Sequence, residues 1–173
     1  MKRALLVLAA CVGMIATSTV APASASTAPR HGPPAIAAVY KHDVVQRTSP
    51  YSFCWTYTTA HGGYGICADG TTTFPPAATV HAPARVIVRV RSAAEPKHWS
   101  VTASSKIRHY RGFDTLVGGH DLAFRLAPHR VRGAITAWDL VLRLPQRHRD
   151  YYIETGGSFV GGNDAFYRLH LQT

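Results

Sequence analysis

The chain has 173 residues, of which 19 are lysine or arginine and nine are aspartate or glutamate, so its formal net charge is +10. No apolar stretch is long enough to cross a bilayer core of about 30 Å, which excludes a transmembrane helix. A positive field of this kind favours polyanions as partners: nucleic acid, anionic wall polymers or acidic lipid headgroups.

Residues 1–25 have the pattern of a secretory signal peptide. Lys2 and Arg3 precede an apolar run, and Ala23-Ser24-Ala25 forms an A-x-A cleavage site. The pattern predicts a secreted, extracellular product, free or associated with the cell wall. An alternative is a lipoprotein box at Leu8-Ala9-Ala10-Cys11, which would anchor the chain through Cys11. Because the apolar run continues beyond Cys11, the secreted form is favoured.

The mature chain is expected to consist of a flexible leader and one domain. Residues 26–35 are rich in proline and small residues, which is typical of a leader. Residues 36–173 are enough for a single domain with a sizeable core. Because exported proteins rarely meet nucleic acid, no nucleic-acid partner is expected.

From residue 36 onward, apolar side chains recur at every second position. Examples are the runs Val86, Val88, Val90 and Ala165, Tyr167, Leu169, Leu171. Such alternation predicts strands with one buried face, and breakers such as Gly118-Gly119 and Gly156-Gly157 separate the runs. We expect an all-β fold, an antiparallel, immunoglobulin-like β-sandwich of about seven or eight strands. The segment Ala134–Leu144 would tolerate a helix, but its alternation and the following Pro145 favour a strand.

Two cysteines, Cys54 and Cys67, remain once the signal peptide is removed. An even count in an oxidising compartment predicts one disulfide. The midpoint between the two cysteines lies near Ala60-His61, which favours a hairpin whose two strands the bridge joins. In an immunoglobulin domain the bridge connects the two sheets instead.

Residues 117–126 align without gaps with residues 160–169, and six of the ten positions are identical. We interpret the repeat as a reused Gly-Gly turn in which the aspartate, Asp121 or Asp164, caps the turn before a strand begins. The alternative is a calcium site built from these two aspartates. Calcium requires six to eight oxygen ligands, and each segment offers one carboxylate, so no metal site is expected.

The sequence contains no nucleophile elbow, phosphate loop, dinucleotide fingerprint or zinc-protease motif. We therefore predict no catalytic residue, no metal and no cofactor. A binding or accessory protein is the favoured interpretation. The alternative is an extracellular hydrolase that acts on cell-envelope material, with an active site assembled from distant residues.

The basic residues are scattered along the chain, and one of the densest groups lies between residues 106 and 111. Lys106, Arg108 and Arg111 are the predicted anion-binding or wall-binding patch. The expected partner is an anionic cell-envelope polymer or another surface protein.

Two segments resemble a known group of proteins. The run Ser49-Pro50-Tyr51-Ser52-Phe53-Cys54-Trp55, followed by Ile66-Cys67-Ala68-Asp69, resembles the S-Y-C-W … C-x-D signature of small exported domains and lipoproteins of Gram-positive bacteria. The ending at residues 162–169 resembles the G-D-A-x-Y-x-F final strand of the same group. The resemblance implies a β-sandwich with a Cys54–Cys67 bridge, and it implies no activity.

Overall fold

A computed structural model describes residues 32–59, 62–70, 73–81, 84–144 and 149–173. The predicted signal peptide and most of the predicted leader lie outside these residues. The described residues form strands and turns without a helix, so none of them forms a helix that could cross a membrane. The predicted all-β class is confirmed.

The strands follow one another along the described residues in this order: β1 (Ile36–Tyr40), β2 (Asp43–Thr48), β3 (Ser52–Thr59), β4 (Gly62–Asp69), β5 (Ala78–Thr79), β6 (Ala84–Val90), β7 (Lys97–Ser104), β8 (Ile107–Tyr110), β9 (Phe113–Leu116), β10 (His120–Asp121), β11 (Phe124–Val131), β12 (Ala134–Leu144), β13 (Asp150–Phe159) and β14 (Asn163–Gln172). The expected number of seven or eight was too low. Several strands are too short to show alternation. In addition, β1 and β2 are separated by a turn without glycine, in which Lys41 and His42 have φ values of 47° and 76°.

The strands form two main sheets and a separate hairpin. A five-stranded sheet has the order β11-β12-β6-β1-β2, and a seven-stranded sheet has the order β10-β7-β13-β14-β3-β4, with β5 added beside β14. All pairings are antiparallel except the parallel pair β5–β14. Strands β8 and β9 pair only with each other among the described residues.

The core lies between the two main sheets. Val88 and Leu140 of the five-stranded sheet and Ile153 and Leu169 of the seven-stranded sheet are all 0% exposed and belong to one apolar cluster. Burial of each such side chain contributes about 1.5–3 kcal/mol. The predicted every-second-residue stripes therefore form the interior of a sandwich, and Ala134–Leu144 is a strand as expected.

The disulfide lies within one hairpin. Cys54 of β3 is directly opposite Cys67 of β4, with a Cα–Cα distance of 4.0 Å. The next residue, Trp55, points into the interior and is 2% exposed. The bridge therefore joins adjacent strands of the same sheet, which confirms the predicted hairpin connection.

Gly156 and Gly157, expected as a break between strands, lie inside β13. The pairing of β13 with β7 is irregular between Gly156 and Ser158. A Cβ atom on Gly157 would lie 2.6 Å from Trp99 Cε3 and 2.9 Å from the Lys97 carbonyl oxygen. This pair of glycines marks a strand irregularity with a close approach of the neighbouring strand.

The two copies of the internal repeat differ in structure. Gly161 and Gly162, with φ values of 84° and 75°, form a turn that leads directly into β14. In the first copy only Gly118 has a positive φ, and β10 and β11 are separate strands. The Asp164 carboxylate accepts a hydrogen bond from the Cys54 backbone N–H at 2.8 Å, so it ties two strands together and does not cap its own turn.

Candidate anion-binding face

The outer face of the five-stranded sheet is rich in arginine. Because Val86, Val88 and Val90 point into the core, Arg85 and Arg89 of the same strand point outward. The register places Arg143 of β12 directly opposite Arg85, and Asp139 directly opposite Arg89. Residues that are paired in this way present their side chains on the same face.

The neighbouring strands add further arginines to this outer face. Ala37 of β1 pairs with Arg89 on one side and with Arg47 of β2 on the other. Arg125 of β11 lies opposite Val141, two residues from Arg143. Arg91 follows β6 and lines one surface pocket together with Arg47 and Arg89. We call this surface the arginine face and define it by Arg47, Arg85, Arg89, Arg91, Arg125 and Arg143.

A carboxylate neutralises one of these arginines. Asp139 accepts two hydrogen bonds from Arg89, at 2.7 Å from Nε and 2.9 Å from Nη2. The hydrogen bond with Asp139 raises the pKa of Arg89 above its ordinary value, against the opposing effect of burial. The other five arginines are exposed, and they form no ion pair with any residue that the structure describes.

Arg85 and Arg143 form a pair of like charges. They lie directly opposite each other on adjacent strands, and both are exposed. Like charges in this arrangement destabilise a sheet. An anion bound between the two guanidinium groups would relieve this repulsion and would accept hydrogen bonds from both.

A small pocket lies at one side of the arginine face. It has a volume of about 230 Å³, and Arg47, Arg89 and Arg91 contribute to its lining. Its apolar lining includes Ala37 and Val39, which are 9% and 4% exposed although they lie on the outer side of the sheet. Sites for drug-sized ligands have volumes of about 300–1,000 Å³. This pocket is therefore smaller than a site for a drug-sized ligand.

The outer face of the seven-stranded sheet differs in charge. It carries carboxylates, each held by a partner on a neighbouring strand. Glu154 pairs with Arg168 at 2.7 Å, and Asp150 pairs with His170 at 3.0 Å. Asp69 accepts a hydrogen bond from the Ser52 hydroxyl at 2.7 Å. The carboxylates named on this side of the sandwich are therefore satisfied, whereas five of the six arginines of the arginine face have no acidic partner among the described residues.

The described residues contain no group of three or more histidine, cysteine, aspartate or glutamate side chains that could hold a metal ion. The two aspartates of the calcium alternative have other partners. Asp121 accepts a hydrogen bond from Thr102 at 3.3 Å, and Asp164 accepts one from the Cys54 N–H. Cys54 and Cys67 are joined as a disulfide, so neither supplies a thiolate nucleophile.

The predicted patch of Lys106, Arg108 and Arg111 lies elsewhere. All three are exposed and belong to the hairpin of β8 and β9 or to its base. This hairpin lies over the outer side of the seven-stranded sheet, where Arg168 Nη2 donates to the Asp114 carbonyl oxygen at 2.9 Å. The predicted patch and the arginine face are therefore on opposite sides of the sandwich.

Reasoning from the sequence missed the arginine face because its members lie far apart in the chain. A signal was present in and directly after β6, where Arg89 and Arg91 occupy positions that alternate with buried valines. To predict that these two arginines share a face with Arg143 and Arg47, the register of four strands must be known. The local spacing of residues in the sequence does not give this register.

Comparison with known proteins found no match among family models, curated proteins or solved structures.

Proposed function

We propose that this protein is an exported, immunoglobulin-like β-sandwich that binds an anionic cell-envelope polymer through its arginine face. The observation that supports the proposal is the set of five exposed arginines on one sheet face without an acidic partner among the described residues. Guanidinium groups bind phosphate and carboxylate with two parallel hydrogen bonds.

The sheet geometry suits a polymer better than a small anion. Neighbouring strands lie about 4.8 Å apart, so the arginines form rows that a charged chain can contact at several points. A single exposed ion pair contributes only about 0.2–1 kcal/mol. Useful affinity therefore requires several simultaneous contacts, as a repeating anion provides.

The test measures retention of the protein on purified Gram-positive cell wall and on a polyphosphate resin. We expect the R85Q/R143Q variant to bind roughly tenfold more weakly than the unaltered protein at low salt, because two of the contacts are lost. Retention of the unaltered protein should fall steeply between about 0.05 and 0.5 M salt, because salt screens the charges.

The matched control is K97Q/R149Q, which removes two exposed cations at the first residue of β7 and directly before β13, two strands of the seven-stranded sheet. It should be retained like the unaltered protein. A charge-reversed variant of the predicted patch, with Lys106, Arg108 and Arg111 replaced by glutamate, tests the alternative location. If that variant loses retention while R85Q/R143Q keeps it, the polymer site is not the arginine face.

A further inference from the structure

The hairpin of β8 and β9 projects an aromatic tip. Tyr110 pairs with Phe113 across a two-residue turn, in which Arg111 and Gly112 have φ values of 49° and 85°. This turn geometry matches the twist of a hairpin and brings the two rings to its end. Tyr110 is 61% exposed and Phe113 is 46% exposed.

One cation contacts a ring, and two more lie on the same hairpin or at its base. The Arg111 guanidinium lies over the Tyr110 ring, with Cζ 5.1 Å from the ring centroid. Arg108 and Lys106 are exposed on the same hairpin and at its base. The surface of this hairpin therefore combines exposed aromatic area with three positive charges.

The acidic residue of the hairpin is buried and does not contribute to this surface. Asp114 is the only acidic residue in the segment 105–117, and it is 4% exposed. Its carboxylate accepts hydrogen bonds from the Phe74 backbone N–H at 2.8 Å and pairs with His109 Nδ1 at 2.8 Å. No exposed carboxylate in this segment opposes the three cations.

The hairpin is held in place before any partner binds. The Val117 N–H donates to the Lys106 carbonyl oxygen at 3.0 Å and closes the base of the hairpin. Arg168 Nη2 donates to the Asp114 carbonyl oxygen at 2.9 Å and fixes β9 against the seven-stranded sheet. A tip fixed in this way loses little conformational entropy on binding.

We propose that this tip docks on an anionic lipid surface. Tyrosine and phenylalanine lie favourably at the boundary between headgroups and acyl chains, and neighbouring lysine and arginine side chains interact with anionic headgroups. The complementary charge and the exposed rings favour a bilayer over a soluble polyanion, which would leave the rings in water. This proposal does not depend on the polymer-binding function of the arginine face.

The test is flotation of the purified protein with vesicles of phosphatidylcholine alone or with roughly one third phosphatidylglycerol, a composition chosen for its strong negative surface potential. All variants have the same residues 1–31, so that any contribution of these residues to flotation is equal in every variant. We expect binding to the anionic vesicles only. The Y110S/F113S variant should bind roughly tenfold more weakly, because its apolar tip is lost.

The R108Q/R111Q variant should lose about fivefold in affinity per removed cation. The matched control is Y64S, which removes another exposed tyrosine, 52% exposed, on β4; its flotation should equal that of the unaltered protein. Thermal unfolding checks that each variant is folded. The proposal is overturned if Y110S/F113S floats like the unaltered protein, if neutral vesicles bind equally well, or if the tip variant loses retention on cell wall but not flotation.

Discussion

Asp114 is a buried carboxylate whose charge stabilises the fold. Burial alone would raise its pKa, but hydrogen bonds from His109 and from the Phe74 N–H, with the nearby charges of His109 and Arg168, hold the pKa below the ordinary value of 3.8. A carboxylate with a lowered pKa in the folded state adds stability above its unfolded-state pKa, and this stability is lost as the pH falls through the folded-state pKa. The affected range is therefore pH 4 and below.

We expect D114N to reduce the free energy of unfolding at pH 7 by about 1–3 kcal/mol, because the amide loses the charge-assisted pairing that the carboxylate makes. The loss should shrink as the pH falls below 4, where the unaltered protein also loses the charge. Urea unfolding at pH values from about 2.5 to 7 measures both effects across the range in which aspartate titrates. If the difference in free energy of unfolding between D114N and the unaltered protein is the same at every pH in this range, the charge of Asp114 does not contribute to stability.

We expect the hairpin of β3 and β4 to be stabilised mainly by its disulfide, because β4 buries little surface. β4 is the edge strand of its sheet and is exposed at almost every position. The bridge joins residues 13 positions apart. Closing a loop of this size stabilises a protein by about 3 kcal/mol through the entropy of the unfolded chain.

The C54S/C67S variant should therefore have a free energy of unfolding lower by about 3 kcal/mol, measured by urea unfolding. Below its unfolding transition it should keep retention on cell wall and flotation with vesicles, since neither the arginine face nor the β8–β9 tip lies on this hairpin. Loss of either activity in the folded variant would mean that β3 and β4 position the binding surfaces.

Among the elements, the long strands were the ones that the sequence predicted. The apolar residues alternate over enough positions in these strands to reveal a buried face. The residues of that face are buried as expected: Val86, Val88 and Val90 in β6, and Leu140, Leu142 and Leu144 in β12. The hairpin of β8 and β9 was not predicted, because each of its strands has four residues and neither carries a clear apolar stripe. Gly156-Gly157 was mistaken for a turn because a strand irregularity and a turn use the same residues.

At the scale of the whole molecule, the strand register separates charges that are mixed along the chain. Arg85 and Arg143 are 58 positions apart in the sequence and directly opposite in the sheet. Glu154 and Arg168, by contrast, meet on the outer side of the other sheet and neutralise each other. Net charge alone indicated a polyanion partner, whereas the placement of the cations on two separate surfaces depends on the strand register and on how the β8–β9 hairpin packs against the seven-stranded sheet.

The two cationic surfaces lie on opposite sides of the sandwich, so one molecule should be able to contact a polymer and a bilayer at once. We expect the protein to capture fluorescent anionic vesicles on polyphosphate-coated beads, which repel the vesicles when the protein is absent. R85Q/R143Q and Y110S/F113S should each reduce capture strongly, the first by weakening binding to the bead and the second by weakening binding to the vesicle. K97Q/R149Q should leave capture intact. If the unaltered protein binds beads and vesicles separately but captures no vesicle, the polymer and the bilayer compete for one surface, because two independent sites on opposite faces would be occupied together.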